Sequence, residues 1–579
     1  MPTARFCLIA SLLVGSGDAL AAGHLTHTFD VRQLTKTYYS EGANAADLDR
    51  DGHVDVIYGP RWYAGPDFKQ SHEFYPAKPQ PMNRYADSFF TWPYDFDGDG
   101  WTDLLVVGLP GTPAHLYRNP GGDAVKQLWK KHQVFDAVGN ESPQLTNLVG
   151  DERPELVCTH RGMFGYVEIA WEKPFDTWKF TPISGRVTAM RFGHGLGIGD
   201  INGDGHMDVI SAGGWIEQPA DPRQNLWKAH ETRFGNSYGG AEMYAYDVDG
   251  DGDNDIITSM AAHDFGLAWY EQEMKDGKRT FKEHLIMGAR RDQNRYGLVF
   301  SELHSVALAD MDGDGLKDIV TGKTYYSHHE KSPQWNAGAL VYWFRLQRTE
   351  SGVDWIPYQA ATDTGIGRQI TIADVNADQM PDIVVGGMKG GNVLIQKRRE
   401  VSPGEWSAAQ PQPYAGAERR SDRGQAVAFD AAGHVTGAIE GESMTVLRVS
   451  AGKVSTQPMA NFRKGRWSGD QQLFWRQAKP RARLDLEFTV PGGGRFDIEA
   501  CFTTARDYAI INVLLDDQAL GEPLDLFDHP DVGTTGAIQL GQRLLEAGTH
   551  KLTLETIGTN ESSVKNYMVG LDYLRLVPR

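Results

Sequence analysis

Short apolar runs, each opened by an acidic residue and closed by glycine, punctuate the first two thirds of the chain; Asp55-Val-Ile-Tyr-Gly59 and Asp103-Leu-Leu-Val-Val-Gly108 are the clearest. Uninterrupted apolar runs of this length read as strands covered on both faces. Each follows a loop of alternating carboxylates. Loop and strand recur seven times, with the first loop position at Asp47, Asp95, Asn147, Asp200, Asp247, Asp310 and Asp374, at intervals of 47 to 64 residues. One such unit cannot bury its own apolar face, so repeats of this length predict a stacked or closed array. Residues 25–397 suit seven four-stranded units closed in a ring.

Beyond the repeats the pattern changes. Residues 398–436 are polar and irregular, with Pro403, Pro411, Pro413 and the charged run from Glu418 to Arg423, and read as a linker. From 437 to 579, Arg483–Val490, Gly494–Ala500, Ile510–Leu515 and His550–Glu555 alternate apolar and polar residues between turns such as Pro491-Gly-Gly-Gly494. That alternation predicts an antiparallel β-sandwich. No long helix is indicated, so the expected class is all-β: a seven-bladed calcium-binding propeller followed by a sandwich.

The loops specify their own chemistry. Four copies are complete, with carboxylates at positions 1, 3, 5 and 9: Asp47, Asp49, Asp51, Asp55; Asp95, Asp97, Asp99, Asp103; Asp247, Asp249, Asp251, Asp255; and Asp310, Asp312, Asp314, Asp318. Two carry an amide at position 3: Asp200, Asn202, Asp204, Asp208 and Asp374, Asn376, Asp378, Asp382. Clustered oxygen donors around a turn glycine suit Ca²⁺, which takes six to eight oxygens. An EF-hand would need Glu at position 12, where Tyr58 and Val106 stand inside strands. The third loop, with Val149 and Glu152 replacing a donor and the glycine, is expected to hold no metal. About six calcium sites result.

The seven loops contain 24 of the 76 Asp and Glu residues, and six Ca²⁺ would move the formal charge from −19 to about −7. The acidity is then mostly a metal-binding feature, and it disfavours nucleic acid as a partner. Arg5, the apolar stretch Phe6–Leu13 and Ala19-Leu-Ala21-Ala22 predict a cleavable secretory leader over residues 1–22, hence a periplasmic or extracellular protein without a membrane span. Beyond that leader stand only Cys158 and Cys501, too far apart in sequence to suggest a disulfide framework.

The acidic repeats resemble the FG-GAP, or VCBS, repeats of calcium-stabilised seven-bladed propellers, a likeness that implies the fold and leaves the function open. Segments Gly193–Gly199, Gly213–Pro219, Ala262–Tyr270, Gly322–His328 and Leu340–Phe344 resemble a bacterial group of exported propellers, itself similar to the propeller half of aldos-2-ulose dehydratase, a lyase that removes water from keto-sugars. No histidine cluster like that enzyme's second half follows residue 400. The segments Ile439–Glu442, Ala505–Ala509 and Tyr567–Tyr573 resemble β-sandwich modules of bacterial glycan-processing enzymes, which implies carbohydrate as partner.

Strand direction then locates a site. The start of each unit's first strand and the end of its second lie opposite the acidic loops. Six residues before the first loop position stand Glu41, Phe89, Glu141, His194, Ala241, His304 and Arg368; beyond the second strands come Tyr63, His160, Trp215, His263, Lys323, Tyr325 and Lys389. Mouths of this kind commonly hold the binding site. Proton abstraction next to a carbonyl needs a base, a cation for the enolate and an acid for the leaving group. His194, His263, His304, Lys323, Tyr325 and Arg368 are the catalytic candidates, and Glu141, His160, Trp215, Tyr270 and His328 the substrate-binding ones. The three histidines would also suit Zn²⁺, with Asp264 placed in sequence to orient His263. The bland reading of each remains a histidine bonded to backbone or an aromatic in a core. The expected function is a lyase or dehydratase acting by β-elimination on a keto-sugar, an oxidised glycoside or a uronic-acid glycan; a glycan-binding protein without chemistry and an adhesion or scaffold module are the alternatives.

Overall fold

A computed structural model describes residues 24–186, 192–236, 239–326, 332–414, 427–462, 466–529 and 531–579. The expected leader, His328 and the charged run of the expected linker lie outside the described residues. The fold is all-β, with one short α-helix, Pro403–Ala409, among them.

Residues 24–401 form seven four-stranded antiparallel sheets, and the fourth and fifth are joined edge to edge. Six follow the chain in order; the first, for example, is Ala43–Ala46, Asp55–Tyr58, Arg61–Tyr63 and Ser71–Glu73. The seventh takes its outermost strand from the other end of the ring, since His24–Thr35 pairs with Gly390–Val401 from His24 opposite Val401 to Thr35 opposite Gly391. Apolar seams join consecutive sheets, and Val384, Val393 and Ile395 of the last meet Ala43, Val56 and Tyr58 of the first. The second strands, such as Asp103–Gly108 and Asp382–Gly387, are buried at every residue because a neighbouring sheet covers each face.

Position 6 of the acidic loops explains its glycine. Backbone φ there is +90° at Gly52, +87° at Gly100 and Gly205, +97° at Gly252 and +90° at Gly315. Glu152 and Gln379 take the same left-handed conformation in the third and seventh loops, at a cost of about 1–2 kcal/mol. Position 9 is a clamp. Asp318 accepts backbone N–H groups from Met311 and Leu346, both at 2.9 Å, and Asp55, Asp103, Asp208, Asp255 and Asp382 each accept two in the same way. These carboxylates hold loop to strand before any ion is considered. Close approach also dictates glycine where Leu196–Gly199 runs parallel to Glu242–Tyr246, because a Cβ on Gly197 would stand 2.2 Å from Met243 O.

After Val401 the chain enters Pro403–Ala409, capped by Ser402 and Glu405. The C-terminal unit is two packed sheets. One contains Gln471–Arg476, Val569–Pro578 and Gly494–Thr504; the other contains Arg483–Val490, Gly548–Thr559 and Ala509–Leu515. Trp475, Leu486, Ile498, Phe502, Ile511 and Leu554 fill the space between them. Cys158 and Cys501 are free and buried. Among the described residues no helix is long and apolar enough to cross a membrane.

Candidate functional site

The starts of the first strands and the ends of the second strands meet on the ring axis, at the end away from the acidic loops. His194, His263 and His304, from the fourth, fifth and sixth sheets, present ring nitrogens all within 4.8 Å of one another. His304 Nε2 and His263 Nδ1 are 3.1 Å apart. Across the axis Arg368 is fully buried between two carboxylates, its Nε 3.1 Å from Glu141 and its Nη1 3.3 Å from Glu41. Tyr38 donates to Glu41, and the rings of Tyr85 and Phe89 lie 5.0 and 5.7 Å from the guanidinium. Glu141 Oε2 is 3.9 Å from His194 Nε2, so the charged pair and the histidines form one network. All seven sheets contribute to it.

Glu302, which the sequence reading passed over, completes the arrangement. It is wholly buried, lies 3.7 Å from both His263 Nδ1 and His304 Nδ1, and neither carboxylate oxygen has a hydrogen-bond partner among the described residues. Its φ of +67° turns its carbonyl toward the N–H groups of His304 and Thr324. Lys323 is 1% exposed, and burial pulls its ammonium down to about 8 despite the opposing pull of Glu302. Burial, then the Arg368 charge and the other two histidines, holds His304 well below the usual imidazole range, so it is neutral at pH 7.

Glu41, Glu141 and Glu302 lie buried around Arg368, Lys323 and the three imidazoles, an excess of acidic over basic side chains that a divalent cation would offset. The donors fit Zn²⁺, whose nitrogen ligands at about 2.0–2.1 Å stand about 3.3 Å apart in a tetrahedron. Arg368 Nη2 also lacks a hydrogen-bond partner, leaving its two N–H groups for an anionic group. Replacing Arg368 with methionine strands Glu41 and Glu141; we expect a loss of about 3–5 kcal/mol in a guanidinium unfolding titration.

Other residues expected here are used elsewhere. Trp215 lies in the seam between the fourth and fifth sheets, its ring stacked on His230 at 4.0 Å, because strand alternation turns it away from the axis. Tyr270 is in the same seam, accepting from Gly235 N–H and donating to Glu283. His160 donates through Nδ1 to Ala137 O and packs against Phe135 and Phe180. Neither Trp215 nor Tyr270 therefore offers a face for sugar stacking. Tyr325 sits with Tyr38, Ala86 and Met388, under the Lys389 ammonium at 4.1 Å from its ring. The Asp264 carboxylate pairs with Arg506 and His529 of the sandwich.

At the opposite end, oxygens of Asp47, Asp49 and Asp55, of Asp95, Asp97 and Asp99, of Asp247, Asp249 and Asp251, and of Asp310, Asp312 and Asp318 converge within 4.8 Å in each set. Asp47 Oδ1 and Asp49 Oδ1 are buried without a hydrogen-bond partner, an arrangement that would suit a cation. Asn202 and Asn376 replace the second carboxylate in the Asp200 and Asp374 loops, where each side-chain amide donates to Asp204 or Asp378.

Residues 310–385 match the FG-GAP-like repeat. Integrin alpha pat-2 of Caenorhabditis briggsae is 25% identical over an alignment that takes in 35% of this chain and 18% of that protein, so the chain spans under a fifth of this relative. Among solved structures, a xanthan lyase from Paenibacillus aligns with 93% of this chain and 42% of its own at 9% identity and TM-score 0.22. A family 35 carbohydrate-binding module from Clostridium thermocellum aligns with 25% of this chain and 99% of its own at 17% identity and TM-score 0.18. Likenesses with TM-scores and identities this low carry no argument about function.

Proposed function

We propose that the protein is an exported carbohydrate lyase or dehydratase, a calcium-bound seven-bladed propeller that performs β-elimination on a keto-sugar, an oxidised glycoside or a uronic-acid glycan. The observation that carries this reading is the convergence of three histidines, an unpartnered carboxylate, a lysine near neutrality and an arginine with two spare N–H groups on the ring axis. A divalent metal on His194, His263 and His304 would polarise the substrate carbonyl or carboxylate.

The chain's own groups supply the rest. Neutral Lys323 removes the proton next to the carbonyl, the C–O bond at the following carbon breaks, and its electrons leave with oxygen as a C=C bond forms. The Lys323 ammonium that the abstraction leaves returns the proton to the departing oxygen. Arg368 Nη2 holds a substrate carboxylate or enolate, in a site dry enough for one such donor to count. Glu41 and Glu141 fix that guanidinium and leave it only this direction.

Incubation with oxidised and uronic glycans should generate the ultraviolet absorbance of an α,β-unsaturated product. Because the base is the neutral amine, kcat should rise with pH through about 8 and flatten above it. Lys323→Met should remove that limb; an unchanged profile would assign the base elsewhere. Glycan binding without absorbance change would leave a lectin-like protein, although the burial of Trp215 and Tyr270 removes two stacking platforms that role would use.

A further inference from the structure

The loop that carries His263 is also where the C-terminal sandwich docks. Asp264 Oδ1 lies 3.1 Å from His529 Nε2, and Oδ2 accepts from Arg506 Nη1 at 3.3 Å. Beside this pair Phe265 packs on Phe527, with the His529 ring edge-on at 5.7 Å. The Asp264 carbonyl faces the other way and accepts the backbone N–H of Glu302 at 3.0 Å, while the Glu302 carbonyl takes the N–H of His304. A single residue thus joins two sandwich loops to the histidine before it, to the unpartnered carboxylate and to the histidine beyond.

Exposure gives this junction its consequence. The side chains of His194 and His304 are 4% and 0% exposed, that of His263 29%. A ligand therefore meets the cluster at His263, on the border that the sandwich occupies. The Asp264 and His529 side chains are themselves only 18% and 12% exposed, so their contact is not a solvated surface pair that fluctuates freely.

We infer that the sandwich is one wall of the site: through Asp264 it holds the His263 loop in register with Glu302 and His304, and Arg506 and His529 are positioning residues for a centre built in the ring. The inference rests on reading the three histidines as a metal centre. It makes the two units a single working site, in which the sandwich acts on the geometry of the centre and not only on glycan captured at a distance.

The test uses the full chain. Zn²⁺ affinity is measured by competition with a chelating dye, and amide hydrogen exchange is followed over residues 261–266 and 300–306, in wild type, Arg506→Ala/His529→Ala and the conservative Arg506→Lys/His529→Gln. The alanine pair should weaken Zn²⁺ at least about tenfold, the effect usual for residues that orient metal ligands, and speed exchange at Glu302 at least tenfold. The conservative pair should restore most of both. Asp264→Asn, which keeps the side-chain volume, should reproduce the alanine pair if that variant folds poorly. Unchanged affinity together with unchanged exchange would overturn the inference. If wild type binds no Zn²⁺, the metal reading fails by itself, and the exchange arm still decides: faster exchange at Glu302 supports the coupling, and unaltered exchange refutes it.

Discussion

Alanine at His263 should lower kcat/KM for elimination by at least about a thousandfold while leaving the melting temperature nearly unchanged. The magnitude follows from the role: losing one of three nitrogen donors, or a group that handles a proton, typically costs 10²–10⁴-fold. The small effect on stability follows from position, because His263 is the partly exposed member of the cluster and its removal opens no sealed cavity. His304→Ala should lose as much activity but unfold earlier, since its ring is wholly buried against His263 and His194. The comparison separates a chemical role from a packing role within one network. Retained turnover in His263→Ala would remove the histidines from the mechanism altogether. A matched control, Asp378→Ala in the seventh acidic loop, should shift melting and leave kcat alone.

Much of the architecture was legible because its determinants are local. The acidic loops need positive φ at position 6 and oxygens at fixed offsets, so sequence displays them directly. Loop spacing and strand direction also indicated that residues six positions before each loop would share one end, and Glu41, Glu141, His194, His304 and Arg368 are found together there. The pairing of His24–Thr35 with Gly390–Val401 was not legible, since partners more than 350 residues apart leave no local trace. Trp215 and Tyr270 were misplaced because a residue just past a strand turn can face axis or seam, and strand alternation decides between them. Glu302 was invisible for a related reason: it is aimed inward by a left-handed backbone that non-glycine sequence does not announce. The pairing of the Asp264 carboxylate with Arg506 and His529, more than 240 residues further along the chain, leaves no local trace either.

Chelation should destabilise the ring by about 2–8 kcal/mol in total, the second large effect expected. Weak extracellular calcium sites have Kd of about 10⁻⁴–10⁻³ M, so each saturating ion at millimolar Ca²⁺ contributes roughly RT ln(1 + [Ca]/Kd), about 0.4–1.4 kcal/mol, and six sites add independently when well separated. For a ring of this size that is a fall of about 3–10 °C in Tm, read by calorimetry with and without chelator. The effect should depend on pH with a definite sign. Burial raises the position-9 carboxyls to about 7 at Asp55, Asp103 and Asp255, about 8 at Asp318 and about 6 at Asp208 and Asp382. A carboxyl whose folded pKa exceeds its unfolded value near 3.8 binds more protons when folded, so without metal these groups erode stability as pH rises from about 4 through their folded values. Calcium binds the ionised form and offsets that erosion. The chelator effect should therefore be largest at pH 8 and shrink toward pH 5, where the carboxyls are protonated and have little hold on the ion. A melting curve indifferent to chelator at pH 8 would mean that the loops stand on their backbone hydrogen bonds alone. A chelator effect that grew as pH fell would show that the buried carboxylates are not what the ions engage.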